Sequence, residues 1–125
     1  MNSDSITLSK IRFFAHHGVT VEEQERGQIL EVTVRLEYSL AAAARADDLA
    51  RTVDYQAVFE VTRKIIEGPP RKLAETLADS VAAEILKKFK LVKAVEVEVT
   101  KPAPPVRFAF GGFSACVRRK RQSKK

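Results

Sequence analysis

The sequence predicts an α+β domain, a four-stranded antiparallel sheet with two helices on one face, in the order strand, strand, helix, helix, strand, strand. Three observations carry that prediction. Leu30, Val32, Val34, Leu36, Tyr38 and Leu40 alternate with Glu31, Thr33, Arg35, Glu37 and Ser39, the period of a long strand with one wet face. Leu73, Leu77, Val81, Ile85 and Phe89 recur every fourth residue, the spacing of a helix with one apolar face, and Ala74, Ala78 and Ala82 allow close packing beside it. Val95, Val97 and Val99, then Phe113, Ala115 and Val117, alternate with Glu96, Glu98, Thr100, Ser114, Cys116 and Arg118. These are two more strands, joined through a proline-rich turn from Pro102 to Pro105.

Ahead of the long strand, Ile6, Leu8, Ile11 and Phe13 predict a first strand with one irregular step near Lys10, as a bulge would give. Gly18 to Gly27 then reads as a polar loop. From Tyr55, the residues Val58, Phe59, Thr62, Ile65 and Ile66 keep helical spacing, with Asp54 as N-cap and Gly68-Pro69-Pro70 as the stop. No proline blunts the long second strand, so pairing of strand edges between subunits, and hence an oligomer, is expected.

Length and composition narrow the function classes. A chain of 125 residues with 45% hydrophobic and 30% charged residues fits one globular domain. No apolar run reaches the roughly 20 residues of a membrane span, and Met1-Asn2-Ser3-Asp4 does not open a signal peptide, so a cytoplasmic location is expected. Cys116 is the single cysteine, which excludes an intrachain disulfide and a cysteine-based zinc site. Six of the 22 basic residues fall in the last eight positions, and the other 16 equal the 16 acids in number. The net charge of +6 is therefore terminal, and a solvated tail is expected over a nucleic-acid contact, since no aromatic residues interleave with those bases. The expected division is a folded domain over residues 1–118 and a disordered basic tail over 119–125.

Several residues offer chemistry, each beside a plain structural reading. His16 and His17 end the first strand, with Glu22 and Glu23 following, but adjacent residues of a strand face opposite ways and do not grip one metal ion together. The plain reading is one histidine packed at a strand end and acids in a solvated loop. Asp54 can cap a helix, and Tyr55 can cover the core edge or relay protons. Glu75, in the first turn of the second helix, offsets the helix dipole or binds a ligand. Lys101 ends a strand, where an ammonium is usually solvated.

Taken together, these segments resemble those of the dihydroneopterin aldolase family from about Ile6 to Arg118. The resembling stretches are His17-Gly18-Val19 with Glu23 beyond it, Gly27-Gln28, Asp47-Asp48-Leu49, Thr52-Val53-Asp54-Tyr55, Leu73-Ala74-Glu75-Thr76 and Lys101-Pro102. The resemblance implies the tunnelling fold, or T-fold, in which four subunits close their sheets into a barrel and two rings stack into a homo-octamer. It implies a cofactor-independent aldehyde lyase of folate biosynthesis that forms no Schiff base and holds no metal.

The implied catalytic residues are Lys101, Tyr55 and Glu23, with Tyr55 supplied by a neighbouring subunit. The implied substrate-binding residues are Glu75, Val53 and Ala74, with Glu75 holding the pterin ring. The chain departs from the family at Ala103-Pro104-Pro105 and at Phe108-Ala109-Phe110-Gly111-Gly112-Phe113, whose phenylalanines can cover the pocket or pack between subunits. Two other readings compete. One is the related epimerase of dihydroneopterin triphosphate, for which Arg107 and Arg118 are the candidate phosphate cations. The other is a basic nucleic-acid-binding module with a vestigial pterin site.

Overall fold

Alternation sets the sheet. In the computed structural model, which describes residues 4–103 and 111–122, β2 (Gln28–Glu37) buries Leu30, Val32, Val34 and Leu36 and leaves the intervening polar residues partly wet. It lies between β1 (Ser5–Ala15) and β3 (Ala94–Lys101), and β4 (Phe113–Lys120) completes the order β1-β2-β3-β4, antiparallel throughout. Val34 pairs with Leu8 on one side and Val97 on the other, so apolar residues align across strands on one face. The opposite face is charged: Arg12 meets Glu31 at 3.3 Å and Arg118 meets Glu37 at 2.7 Å.

The long strand is not an edge, although it carries no proline. Its two neighbours both pair with it, and the open edges are β1 and β4. The irregular step in β1 is real. The register shifts between Leu8 and Ile11, Lys10 takes φ 49°, and its N–H bonds Thr33 Oγ1 at 3.0 Å.

The helices cover the apolar face. Asp54 caps α3 (Tyr55–Ile66) by accepting the Gln56 N–H at 2.9 Å, and Phe59 stacks on Phe13 of β1 with ring centres 5.9 Å apart. Helix α4 (Ala74–Lys88) packs on β3 and β4 through Leu77, Ala78, Val81, Ala82 and Ile85. Its direction follows from its C-terminal end. The Arg121 guanidinium, just past β4, donates to the carbonyls of Leu86, Phe89 and Val92 at 2.6, 3.0 and 3.0 Å, and Arg121 N–H bonds Lys93 O. The end of α4 thus sits where β3 begins. A 15-residue helix rises about 22 Å and eight strand residues span about 26 Å, so α4 opens at the end of the sheet where Lys101 closes β3.

Three short elements interrupt the expected order: α1 (Val21–Arg26), α2 (Ala41–Ala46) and a one-turn 3-10 helix (Leu49–Arg51). The segment read as a polar loop contains α1, because Thr20 and Glu23 form a reciprocal capping box. The folded domain also extends past residue 118. β4 runs to Lys120, Arg119 pairs with Asp79 at 3.1 Å, and Arg121 caps α4. Three of the six terminal bases are thereby committed to the protein itself, Arg118 through Glu37. Residues 123–125 of the tail lie outside the described residues.

Arg121 anchors the end of α4. It satisfies three carbonyls at a helix end, and hydrogen bonds from a charged donor contribute roughly 1.5–3 kcal/mol each when buried, less at this half-exposed position. Arg121→Ala should lower unfolding free energy by about 2 kcal/mol in denaturant titration. A change below about 0.5 kcal/mol, the scale of an ordinary surface substitution, would show that solvent serves those carbonyls equally well.

Candidate active site

The site begins where β1 ends. His17 is buried while its neighbour His16 is exposed, as opposite faces of a strand end require. The His17 ring is hydrogen-bonded at both nitrogens: Nδ1 accepts the Arg71 N–H at 2.9 Å, which leaves the proton on Nε2 to be donated to Ile66 O. Burial pushes the His17 pKa down. The Ile66 carbonyl pulls it up, the charges of Arg71, His16 and Lys101 push it down, and the net shift is downward.

Gly18 follows with φ +149°, a conformation that favours glycine, and an added Cβ would lie 2.4 Å from the Glu23 carboxyl carbon. The turn and the carboxylate occupy one space. Helix α1 then delivers Glu23 inward as its third residue. Oε1 accepts the Thr20 N–H at 3.2 Å and the Thr20 hydroxyl at 3.0 Å, while Thr20 Oγ1 accepts the Glu23 N–H at 3.1 Å. Oε2 accepts Gln28 Nε2 at 3.0 Å and Lys101 Nζ at 2.8 Å.

Sheet register explains why Lys101 arrives there. Glu31 pairs with Thr100, so the last residue of β3 lies near the start of β2, where Gln28 stands. The ammonium is not solvated: the Lys101 and Glu23 side chains are 13% and 7% exposed. Burial alone would raise the Glu23 pKa, but Lys101, Gln28 and the amide and hydroxyl of Thr20 outweigh it and bring it to about 2. Glu23 is an anion across the neutral range. Among the described residues Lys101 gives one of its three N–H bonds, to that anion.

Glu75, the second residue of α4, is exposed at this same end of the sheet, and Ala74 beside it is buried. The loop before them is tied to the site by Gly18 N–H to Arg71 O at 2.9 Å. Lys101, Glu23, Ala74 and Glu75 therefore share one end of the molecule.

Val53 and Tyr55 do not join them. The Val53 N–H bonds Tyr38 Oη at 3.2 Å, and Tyr38 also contacts Thr52 Oγ1 at 2.8 Å. Tyr38 lies beyond the far end of β2 from Gln28, roughly 30 Å away at strand rise. Tyr55 is 62% exposed and lines a groove of about 580 Å³ with Thr7, Leu8, Ile11 and Phe59, along the open edge of β1. β2 separates that edge from β3.

Arg118, a candidate phosphate cation, is held by Glu37 through Nε at 3.0 Å and Nη2 at 2.7 Å, at the end of the sheet away from Lys101. It does not serve the Lys101 site of its own chain. Arg107, Phe108 and Phe110 lie outside the described residues. Among the described residues no group of three histidine, cysteine or acidic side chains assembles as a metal site, and no helix is long and apolar enough to cross a membrane. Thr20 and the paired roles of His17 and Gln28 were missed from sequence; the Thr20-x-x-Glu23 capping pattern was the available signal for the first.

A buried carboxylate bonded to an ammonium, at the end of the sheet where α4 presents an exposed acid, is an arrangement able to bind a small polar molecule and move protons on it. Comparison with known proteins makes this specific. The FolB family, described as dihydroneopterin aldolase, matches residues 6–118, and the chain belongs to that family. A dihydroneopterin aldolase of Bacillus subtilis (strain 168) is 39% identical over 103 residues, covering 82% of this chain and 86% of that one. A FolB chain from Vibrio cholerae superposes with a TM-score of 0.88 at 27% identity, over 97% of this chain and 100% of the other. The dihydroneopterin aldolase of E. coli, in complex with neopterin, shares the fold with a TM-score of 0.85 at 24% identity, over 93% of this chain and 98% of that one.

The lowered Glu23 pKa gives a pH prediction. A carboxylate whose folded pKa lies below its unfolded value stabilises the protein above the unfolded value, near 4.5, and that contribution is lost as pH falls through about 2. The shift corresponds to roughly 3 kcal/mol. Stability of the native chain should fall across pH 4.5 to 2 more steeply than that of Glu23→Gln. Parallel curves in acid titrations of both would refute the ionised, donor-rich carboxylate.

Proposed function

We propose that the chain cleaves 7,8-dihydroneopterin by a retro-aldol reaction, yielding 6-hydroxymethyl-7,8-dihydropterin and glycolaldehyde for folate biosynthesis. The observation that carries this reading is the buried Glu23–Lys101 contact, 2.8 Å long, at the end of the sheet where α4 presents Glu75, in a chain of the FolB family. The pterin ring offers an amino group and an adjacent ring N–H, and the two oxygens of Glu75 can accept both.

Loss of the proton from the second side-chain hydroxyl starts the reaction. The bond between the first and second side-chain carbons breaks, that oxygen becomes the carbonyl of glycolaldehyde, and the electron pair passes into the ring's carbon–nitrogen double bond. Protonation of the first carbon then completes 6-hydroxymethyl-7,8-dihydropterin. The ring is the electron sink, so the reaction calls for neither a Schiff base nor a cofactor. Lys101 hands one ammonium proton to the ring nitrogen that receives the electron pair, and the amine so formed takes the hydroxyl proton through an ordered water; Tyr55 then delivers a proton to the first carbon as the ring nitrogen gives its own back. Glu23, ionised throughout the neutral range, orients the Lys101 ammonium.

The separation of Tyr55 from Lys101 within one chain supports a site shared between subunits. Continuing the sheet from β4 of one copy to β1 of another keeps the strands antiparallel and covers both open edges. A second copy would then be the source of the Tyr55 and Val53 that the Lys101 site of one chain lacks. Four copies closing such a ring, and two rings stacking, make the T-fold barrel and homo-octamer, in a soluble cytoplasmic enzyme.

Two tests follow. Lys101→Ala and Tyr55→Phe should each lower turnover by about 100-fold or more, the scale for removing a proton-transfer group. Hybrids of the two variants should regain activity, because some sites then hold both native residues. No recovery after demonstrated subunit exchange sinks the shared site. Glu75→Gln inverts one acceptor into a donor and should cost about 2–4 kcal/mol of pterin binding, roughly 30-fold to 1,000-fold in affinity. If Glu75 serves only the helix dipole, calorimetry with 6-hydroxymethylpterin will find affinity unaltered and a melting point slightly lowered.

A further inference from the structure

We infer that His17 is a positioning residue: its neutral ring locks the segment leading into α4, and with it Glu75, to the loop that carries Glu23. The inference rests on the proposed function for its kinetic consequence and on geometry for the lock itself.

One imidazole spans the connection between the two long helices. Nε2 donates to the carbonyl of Ile66, the last residue of α3, and Nδ1 accepts the N–H of Arg71, three residues before Ala74. Gly18 N–H to Arg71 O, at 2.9 Å, closes a second bond to the same peptide. The backbone of His17 faces the catalytic pair: Gln28 Nε2 donates to His17 O and to Glu23 Oε2, both at 3.0 Å, and Glu23 Oε2 accepts Lys101 Nζ. Hydrogen bonds thus run from Arg71 through His17, Gln28 and Glu23 to Lys101.

A buried histidine with satisfied nitrogens can be core and nothing more. The connection it holds argues otherwise. Glu67, Pro69, Pro70, Arg71, Lys72 and Leu73 are all exposed, so little apolar burial fixes this stretch. Leu73, the N-cap of α4, has no side-chain cap bond either. Burial of Ala74 and Leu77 seats the first turn of α4 on the core, and the contacts to His17 and Gly18 tie the exposed segment ahead of it to the Glu23 loop. The ring must be neutral for this, since an imidazolium has no lone pair to accept the Arg71 N–H.

The lock is read first in the unmodified protein. Two-dimensional ¹⁵N–¹H spectra should show His17 with its hydrogen on Nε2 and none on Nδ1 at pH 7; a hydrogen on Nδ1 overturns the inference whatever the activity. Kinetics then follow, in a protein already shown to turn over 7,8-dihydroneopterin. Absence of that turnover would count against the proposed function, while the spectra still judge the lock.

His17→Phe keeps the ring volume and removes both bonds, and should raise KM by about 10-fold to 100-fold with kcat changed far less. His17→Asn retains an acceptor near the Nδ1 position and should recover part of that loss. His17→Gln retains only the donor toward Ile66 and should recover less. Wild-type KM in every folded variant, with only the melting point reduced, assigns His17 a purely structural role and overturns the proposal. If His17→Phe does not fold, the same KM for His17→Asn and His17→Gln has the same force.

Discussion

The working end of this chain depends on keeping the Glu23 carboxylate ionised where little water reaches it. Moving such an ion out of water costs several kcal/mol unless donors replace the lost solvent. Here Thr20 supplies two, Gln28 one and Lys101 one. Each donor comes with a structural commitment. The Thr20 bonds require α1 to start where it does, the Gln28 bond requires β2 to start where it does, and the Lys101 bond joins residues 78 positions apart, which only the antiparallel pairing of β2 with β3 brings together. Gly18 belongs to the same constraint, because a side chain there would occupy the space of the carboxylate.

The sheet imposes a second constraint, on what one chain can assemble. With β2 and β3 in the middle, the apolar face is covered by α3 and α4, and the other face is occupied by ion pairs such as Arg12–Glu31 and Arg35–Glu37. What remains open is the pair of edges. Val53 is held near Tyr38 at one end of β2 while Glu23 is held at the other, so no local rearrangement of loops can bring Val53 to Lys101 without dismantling the sheet. The groove along β1, lined by Tyr55 and Phe59, has an apolar wall and runs along a strand that, among the described residues, pairs on one side only. Such a surface suits another strand, which is why the proposed function places the second half of the site on another copy.

Much of this was readable from local pattern. The alternation of Leu30 to Tyr38, the step near Lys10, the Asp54 cap and the apolar stripe of α4 are set by neighbours in sequence, and the structure has them all. Helix α1 was missed because six polar-rich residues have no apolar stripe to reveal them, although Thr20 and Glu23 stand at capping-box spacing. On local pattern alone Lys101 reads as solvated, because its partner is distant in sequence, and Arg118 stands as a phosphate candidate only under the epimerase reading, because Glu37 is just as remote. Long-range ion pairs depend on register, and register is decided by the whole sheet.

The acidity of Glu23 also divides the labour at the site. A general base works best when its pKa lies near the working pH, and the donors around Glu23 move its pKa down, away from that range. The interactions that make its burial tolerable are the same ones that lower its basicity. They suit a different task. A fixed anion 2.8 Å from Nζ restrains a side chain that otherwise has several freely rotating bonds, and it leaves the remaining N–H groups of Lys101 pointed elsewhere. On the proposed reading, protons pass by way of Lys101, water and Tyr55, while Glu23 contributes by remaining charged and unmoved through the cycle.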